Sequence, residues 1–208
     1  MDGISNALLK KIANLVCAPL TYAINLSFQK GMFPAMLKVG LVKPLYKKDS
    51  KKDISNYRPI TLSSSISKIY EIAFLNRLNS FLQKNNVLSS CQHGFQKGKS
   101  TVGAVASALE IIIEALNGKK KITGIFLDLS KAFDCLDHNI LIKKMENYGV
   151  RGTALSWVET YLKGRSQCVC IEQVHNCKIE KVLSRLNMES HRVVTWALYF
   201  FCYTLMTW

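Results

Sequence analysis

Asp128 stands in the run Ile125-Phe126-Leu127-Asp128-Leu129, a carboxylate among apolar neighbours. An ionised carboxylate is costly to bury unless it is paired or bound to a cation. Asp128 is therefore either a metal ligand at the end of a buried strand or a cap on the turn that follows; the spacing leaves both open. Basic residues concentrate elsewhere. Lys38, Lys43, Lys47, Lys48, Lys51, Lys52 and Arg58 face only Asp49 and Asp53 over residues 38–58, a local surplus of five positive charges. Such a cluster suits a polyanion, and Arg58 adds a planar fork that grips phosphate oxygens while staying charged. Cys168, Cys170, His175 and Cys177 raise a zinc site. Cys168 and Cys170 alternate with strand periodicity, however, and the spacing favours structural cysteines over ligands set around a tight turn.

These residues need elements to hold them. Ile4, Leu8, Leu9 and Ile12, then Leu15 through Phe28, predict helix over the first thirty residues, closed by Gly31 and Pro34. Val39 to Tyr46 alternates around Pro44 and suits an edge strand. Lys47 to Asn56 is a polar loop, and Ser63 to Asn86 a long amphipathic helix ended by Asn85-Asn86. Thr101 to Leu116 predicts a helix stopped by a left-handed cap at Asn117-Gly118. Ile122 to Leu129 reads as a buried central strand. Helices at His138 to Tyr148 and Thr153 to Leu162 lead into a hairpin, Gln167 to Glu172 and Cys177 to Leu183.

The composition fits a folded, polyanion-seeking chain. An apolar share of 49% over 208 residues excludes a disordered tail or a minimal stapled scaffold. The net charge of +14, from 28 basic against 14 acidic residues, makes nucleic acid the leading partner class and an anionic membrane surface its rival. Seven cysteines without a C-x-x-C pair, and no secretory leader, point to a reducing intracellular compartment, nucleus or cytoplasm, and away from secretion.

Three motifs in order decide between the readings of Asp128. Phe126-Leu127-Asp128-Leu129-Ser130-Lys131-Ala132-Phe133-Asp134-Cys135-Leu136-Asp137-His138 resembles the first palm motif of reverse transcriptases from non-LTR retrotransposons, the LINE and jockey-like group. Asn56-Tyr57-Arg58-Pro59-Ile60-Thr61-Leu62 resembles their fingers motif, followed by Ser67-Lys68-Ile69-Tyr70-Glu71 and Asn76-Arg77-Leu78. His93-Gly94-Phe95-Gln96-Lys97-Gly98-Lys99-Ser100-Thr101 is similar to the next fingers motif. The resemblance spans about residues 1 to 187. It implies an α+β right-hand polymerase fragment, helix-rich with a small, partly antiparallel sheet: fingers-like over 1–118 and partial palm over 119–187.

It also implies roles. Asp128 and the backbone carbonyl of Leu129 would hold Mg2+ for two-metal nucleotidyl transfer. Phe133 would be the steric gate that selects deoxynucleotides, while Asp134 and His138 brace the following helix. Arg58 and Lys52 would hold the incoming dNTP. Lys43, Lys47, Lys48, Lys51, Lys97 and Lys99 would contact an RNA template and DNA primer.

The chain leaves the family pattern after Asn187. No Pro-Gln-Gly and no Tyr-x-Asp-Asp motif is present; residues 188–208 end in an apolar run, Val193 to Trp208. Sixteen residues span about 24 Å as a helix, short of the roughly 20 residues that cross a bilayer, so a membrane role is not expected. Within codon degeneracy, Met188 to Trp208 admits a reading two bases later, GVPQGSYLGPLLFLLYFNDL, which resembles the missing family motif. A one-base deletion and an out-of-frame tail account for this. The expectation is thus a truncated reverse transcriptase fragment inactive by itself, with a nucleic-acid-binding module that lacks catalysis as the alternative.

Overall fold

The computed structural model describes residues 4–87, 89, 91–94, 96, 98–127, 137–175 and 178–186. The chain forms two compact units, one from residues 1–76 and 138–190, the other from 77–137 and 191–208.

In the first unit, α1 (Asn6–Lys11) and α2 (Ala13–Lys30) occupy the stretch expected to be helical at the N-terminus. The break is at Ile12, whose φ of −100° and ψ of 11° leave the helical region. Apolar periodicity runs through such a break unaltered, so it could not be read from spacing. Ser5 caps α1 by accepting from the Leu8 N–H at 3.1 Å. Gly31 ends α2 as expected, at φ +63°; any Cβ there would stand 2.9 Å from the Thr153 carbonyl oxygen, so glycine is what lets the end of α2 meet the start of α6 (Thr153–Leu162).

Four strands, β1 (Val39–Tyr46), β2 (Tyr57–Leu62), β3 (Ser166–His175) and β4 (Lys178–Leu186), form one sheet in the order β2-β1-β3-β4. β1 is an inner strand, which corrects the edge assignment. The proline explains how both can hold: β3 pairs with β1, in parallel, only from Val39 to Val42, so beyond that point β1 has β2 alone beside it. Pro44 lies opposite Pro59. Two residues without N–H groups can face each other only where a strand pair exchanges no hydrogen bonds. The hairpin of β3 and β4 is longer at both ends than its turn-bounded pattern predicts. Cys168 and Cys170 lie in β3, as strand periodicity reads them, and β3 runs beyond the expected end at Glu172 to include His175; Cys177 lies outside the described residues. The helices and mixed sheet agree with the α+β class.

The core of this unit is aromatic. Trp157 on α6 is fully buried, stacked on Phe74 of α3 (Ser65–Lys84) at 4.4 Å between centroids and on Tyr161 at 5.5 Å, with Phe28 and Phe33 edge-on at 5.4 and 5.3 Å. Its indole N–H donates to Ser27 Oγ at 2.9 Å, and the Ser27 hydroxyl donates to the Met32 carbonyl. A buried indole needs that acceptor. Leu141 and Met145 of α5 (His138–Asn147), with Val150, complete the packing. Beside them lies a polar cluster. The Ser67 hydroxyl donates to Glu71 Oε1 at 2.9 Å, and the Arg165 guanidinium lies 4.6 Å over the Tyr161 ring. Glu71 and Arg165 are both buried.

In the second unit, Leu78 and Leu82 of α3 are buried, and Asn86 ends that helix at φ +51° with the Val87 N–H returning to the Leu82 carbonyl. Ser100 caps α4 (Thr101–Asn117). The left-handed residue after α4 is Lys119, φ +54°, rather than Asn117 or Gly118. The Lys120 N–H then reaches the Ala115 carbonyl, so the cap forms one residue later than predicted. The expected central strand is also corrected: residues 121–127 form no strand, and Ile125, Phe126 and Leu127 are 80%, 97% and 90% exposed. A buried strand requires paired neighbours and covered faces, and the described sheet supplies neither to this segment. No helix among the described residues is long and apolar enough to cross a membrane.

Two outcomes test this packing. Trp157→Ala should cost about 3–5 kcal/mol of stability, read as a large fall in the urea midpoint; a shift no larger than that of a surface substitution contradicts the assigned core. Burial raises the Glu71 pKa above its ordinary value, more than Ser67 and Arg165 lower it. The folded state thus holds this proton more tightly than the unfolded one. Its contribution is present below the unfolded value and is lost as pH rises through the folded one. Raising pH from the ordinary carboxylate range should therefore lower wild-type stability relative to Glu71→Gln, and parallel pH profiles for the two proteins would count against a buried Glu71.

Candidate nucleic-acid interface

The basic segment is a hairpin and its loop. β1 and β2 run antiparallel with Lys43 opposite Ile60, Leu45 opposite Arg58 and Tyr46 opposite Tyr57. Alternation puts Lys43, Leu45, Arg58 and Ile60 on one face, where all four are exposed, so two cations and two aliphatic side chains share that surface diagonally. Tyr46 and Tyr57 lie on the other face, rings 5.7 Å apart.

Residues 47–56 form a closed loop. The Lys47 N–H donates to the Asn56 carbonyl at 2.8 Å, and Asn56 Nδ2 donates to the Ser50 carbonyl at 2.9 Å. Asp53 accepts from the Ser55 N–H at 2.9 Å and opens a short 3-10 turn, Ile54–Asn56. That N–H, more than anything else around it, holds the Asp53 carboxyl below its usual pKa. The Tyr46 hydroxyl donates to the Asp49 carbonyl and the Tyr57 hydroxyl to the Lys51 carbonyl at 3.0 Å. Asp49 takes a left-handed φ of +66°, which turns the chain at the tip.

Lys47, Lys48, Lys51 and Lys52 are exposed on this loop. Lys48 pairs loosely with Asp49 at 3.9 Å, both in solvent, and Lys51 lies 5.7 Å over the Tyr46 ring. Exposed pairs of this kind hold little energy, so the lysines keep their charge available to a phosphate chain. Lys38 is different. Its ammonium donates to the Lys163 carbonyl at 3.1 Å, and partial burial, then the Arg165 charge, lower its pKa. Of the seven cations counted in this stretch, Lys38 thus serves the base of the sheet.

The structure brings Arg58, Lys52, Lys43, Lys47, Lys48 and Lys51 to one hairpin and its loop. Lys99 lies in the second unit, in the turn before the α4 cap, its N–H donating to the Gln96 carbonyl. Lys97, Asp128, Leu129, Phe133 and Asp134 lie outside the described residues; His138 opens α5. Among the described residues no group of three or more His, Cys, Asp or Glu could hold a metal ion. The described part of the chain therefore does not by itself fit a metal centre. Tyr46 and Tyr57, which hold loop carbonyls through their hydroxyls, are residues that charge counting passes over. Their signal is visible only once the register sets them side by side.

Residues 47–189, which include the whole basic loop, match the family described as Reverse transcriptase (RNA-dependent DNA polymerase). The chain is 30% identical over 172 residues to the Probable RNA-directed DNA polymerase from transposon BS of Drosophila melanogaster, covering 79% of this chain and 18% of that protein. It is 29% identical over 165 residues to the corresponding protein from transposon X-element, with the same two coverages. Against the RNA-directed DNA polymerase from mobile element jockey it is 27% identical over 144 residues, 69% of this chain and 16% of that one. All three are Drosophila melanogaster proteins, and the chain spans less than a fifth of the length of each. With most of its length matched, the chain belongs to the reverse transcriptase family, as a segment of the domain found in jockey-like non-LTR retrotransposons.

Proposed function

We propose that this chain is the fingers and first palm portion of a retrotransposon reverse transcriptase and that, taken alone, it binds nucleic acid without polymerising. Residues 1–118 form the fingers-like part, 119–187 the partial palm. The observation that carries the binding half is the closed loop of four exposed lysines beside Arg58, within the segment that matches the family. Lysines held at fixed spacing neutralise phosphates without reading bases, which suits an RNA template and DNA primer of any sequence. Arg58 and Lys52 are the proposed groups for the triphosphate of a dNTP, and Lys43, Lys97 and Lys99 are each proposed to contact phosphates of the template or primer. Nucleus or cytoplasm is the compartment this function requires.

The catalytic half is a family inheritance. Reverse transcriptases generally use divalent metal ions; here Asp128 and the Leu129 carbonyl are the proposed ligands for Mg2+, which would activate a primer hydroxyl and neutralise the leaving pyrophosphate. Phe133 is the proposed sugar gate. Asp128 has no Tyr-x-Asp-Asp carboxylates to join it in these 208 residues. We read residues 188–208 as out of frame after a one-base deletion. In support, the family match stops at residue 189, one residue past Met188, and the shifted reading restores a Pro-Gln-Gly motif.

Three measurements test this reading. Replacing Lys47, Lys48, Lys51 and Lys52 together by alanine should weaken single-stranded RNA binding and flatten its salt dependence by about 0.7 for each phosphate no longer neutralised; an unchanged slope places binding elsewhere. Purified 1–208 should not extend a primer on an RNA template with Mg2+, and Asp128-dependent incorporation would refute that. In the DNA, the codons for Met188 to Trp208 should permit the shifted reading; codons that forbid it sink the frameshift.

A further inference from the structure

We propose that Tyr46 and Tyr57 are positioning residues that latch the basic loop in the conformation that grips a phosphate backbone. The inference rests on the reading of that loop as a polyanion surface and adds what makes the surface competent.

The two tyrosines face each other across β1 and β2, and both hydroxyls leave the sheet to hold loop carbonyls: Tyr46 that of Asp49, Tyr57 that of Lys51. These carbonyls belong to the two stretches that carry Lys47-Lys48 and Lys51-Lys52. The ring of Tyr46 also receives the Lys51 ammonium at 5.7 Å. Core packing gives the loop nothing, since every residue from Lys47 to Ser55 is exposed. Its shape depends on hydrogen bonds, and the phenol hydroxyls are the ties that run from the rigid ladder to the tip. The Asn56 amide, held to the Ser50 carbonyl, closes the loop only on itself.

The physical consequence concerns affinity rather than charge. An untied loop keeps all four lysines but presents fewer of them to the backbone at once, and ordering the rest, long side chains and backbone together, opposes association. A tied loop has met that cost in folding. Phenylalanine keeps the ring pair and the lysine contact while deleting both hydroxyl ties, so it isolates the latch.

The test compares wild type, Tyr46→Phe, Tyr57→Phe, the double variant and Tyr22→Phe, an exposed tyrosine of α2. Fluorescein-labelled poly(A) RNA is titrated against each full-length protein across a salt series, and limited trypsin digestion reports cleavage after Lys47, Lys48, Lys51 and Lys52. The double variant should bind about three- to tenfold more weakly at low salt, with a shallower salt slope because fewer lysines meet the backbone together. Cleavage in the loop should accelerate, with unchanged cleavage elsewhere and an unchanged thermal midpoint. Tyr22→Phe should match wild type. A merely structural role would lower the midpoint and leave the slope of the folded protein unaltered. Wild-type affinity and slope in the double variant overturn the proposal. If wild type itself shows no salt-dependent binding, the polyanion reading fails and this inference with it; accelerated loop cleavage in that case shows a real tie serving another purpose.

Discussion

The first unit is organised around the burial of a single indole. Trp157 brings together α2, through Phe28 and Ser27, α3, through Phe74, and the turn after α2, through Phe33. α6 exits this cluster through Arg165 into Ser166, whose N–H donates to the Lys38 carbonyl and starts the parallel pairing of β3 with β1. The direction of β1, and so of the basic hairpin, follows from how α6 is seated. A Trp displaced from its place would disturb the base from which the lysines project, although it lies far from them in chemistry.

The helices were legible because their signals are local. Gly31 after α2 and Asn86 after α3 each do what their residue type allows, at the expected position, and Ser100 caps α4 where its helix was expected to start. What could not be read depends on partners distant in sequence. Pro44 argues for an edge strand, and it is right about its own position, where β1 has one neighbour; the parallel pairing with β3 begins a few residues earlier and cannot be inferred from either strand alone. Residues 121–127 have the composition of a buried strand and stand exposed, since composition states what a segment could bury and says nothing of what is there to cover it.

The candidate site divides the same way. The lysine cluster and Arg58 were visible as charge and as motif, and the hairpin collects them. Counting charge could not separate Lys38, turned to a carbonyl at the base of the sheet, from Lys47, Lys48, Lys51 and Lys52, which are exposed on the loop. Nor could it find Tyr46 and Tyr57, whose role follows from a register that pairs them and a loop length that brings Asp49 and Lys51 back within reach. Fixed cations carried by a hydrogen-bonded loop, rather than by a packed core, are suited to a partner whose charge is regular and whose sequence varies.

Where the nucleic acid lies on the chain is the central question, and photo-crosslinking of a 4-thiouridine RNA to the full-length protein, with adducts located by mass spectrometry, answers it most directly. The account predicts that the crosslinked residues concentrate between Lys43 and Arg58 and disappear at high salt. Adducts confined to α4, or to α1 and α2, would contradict it.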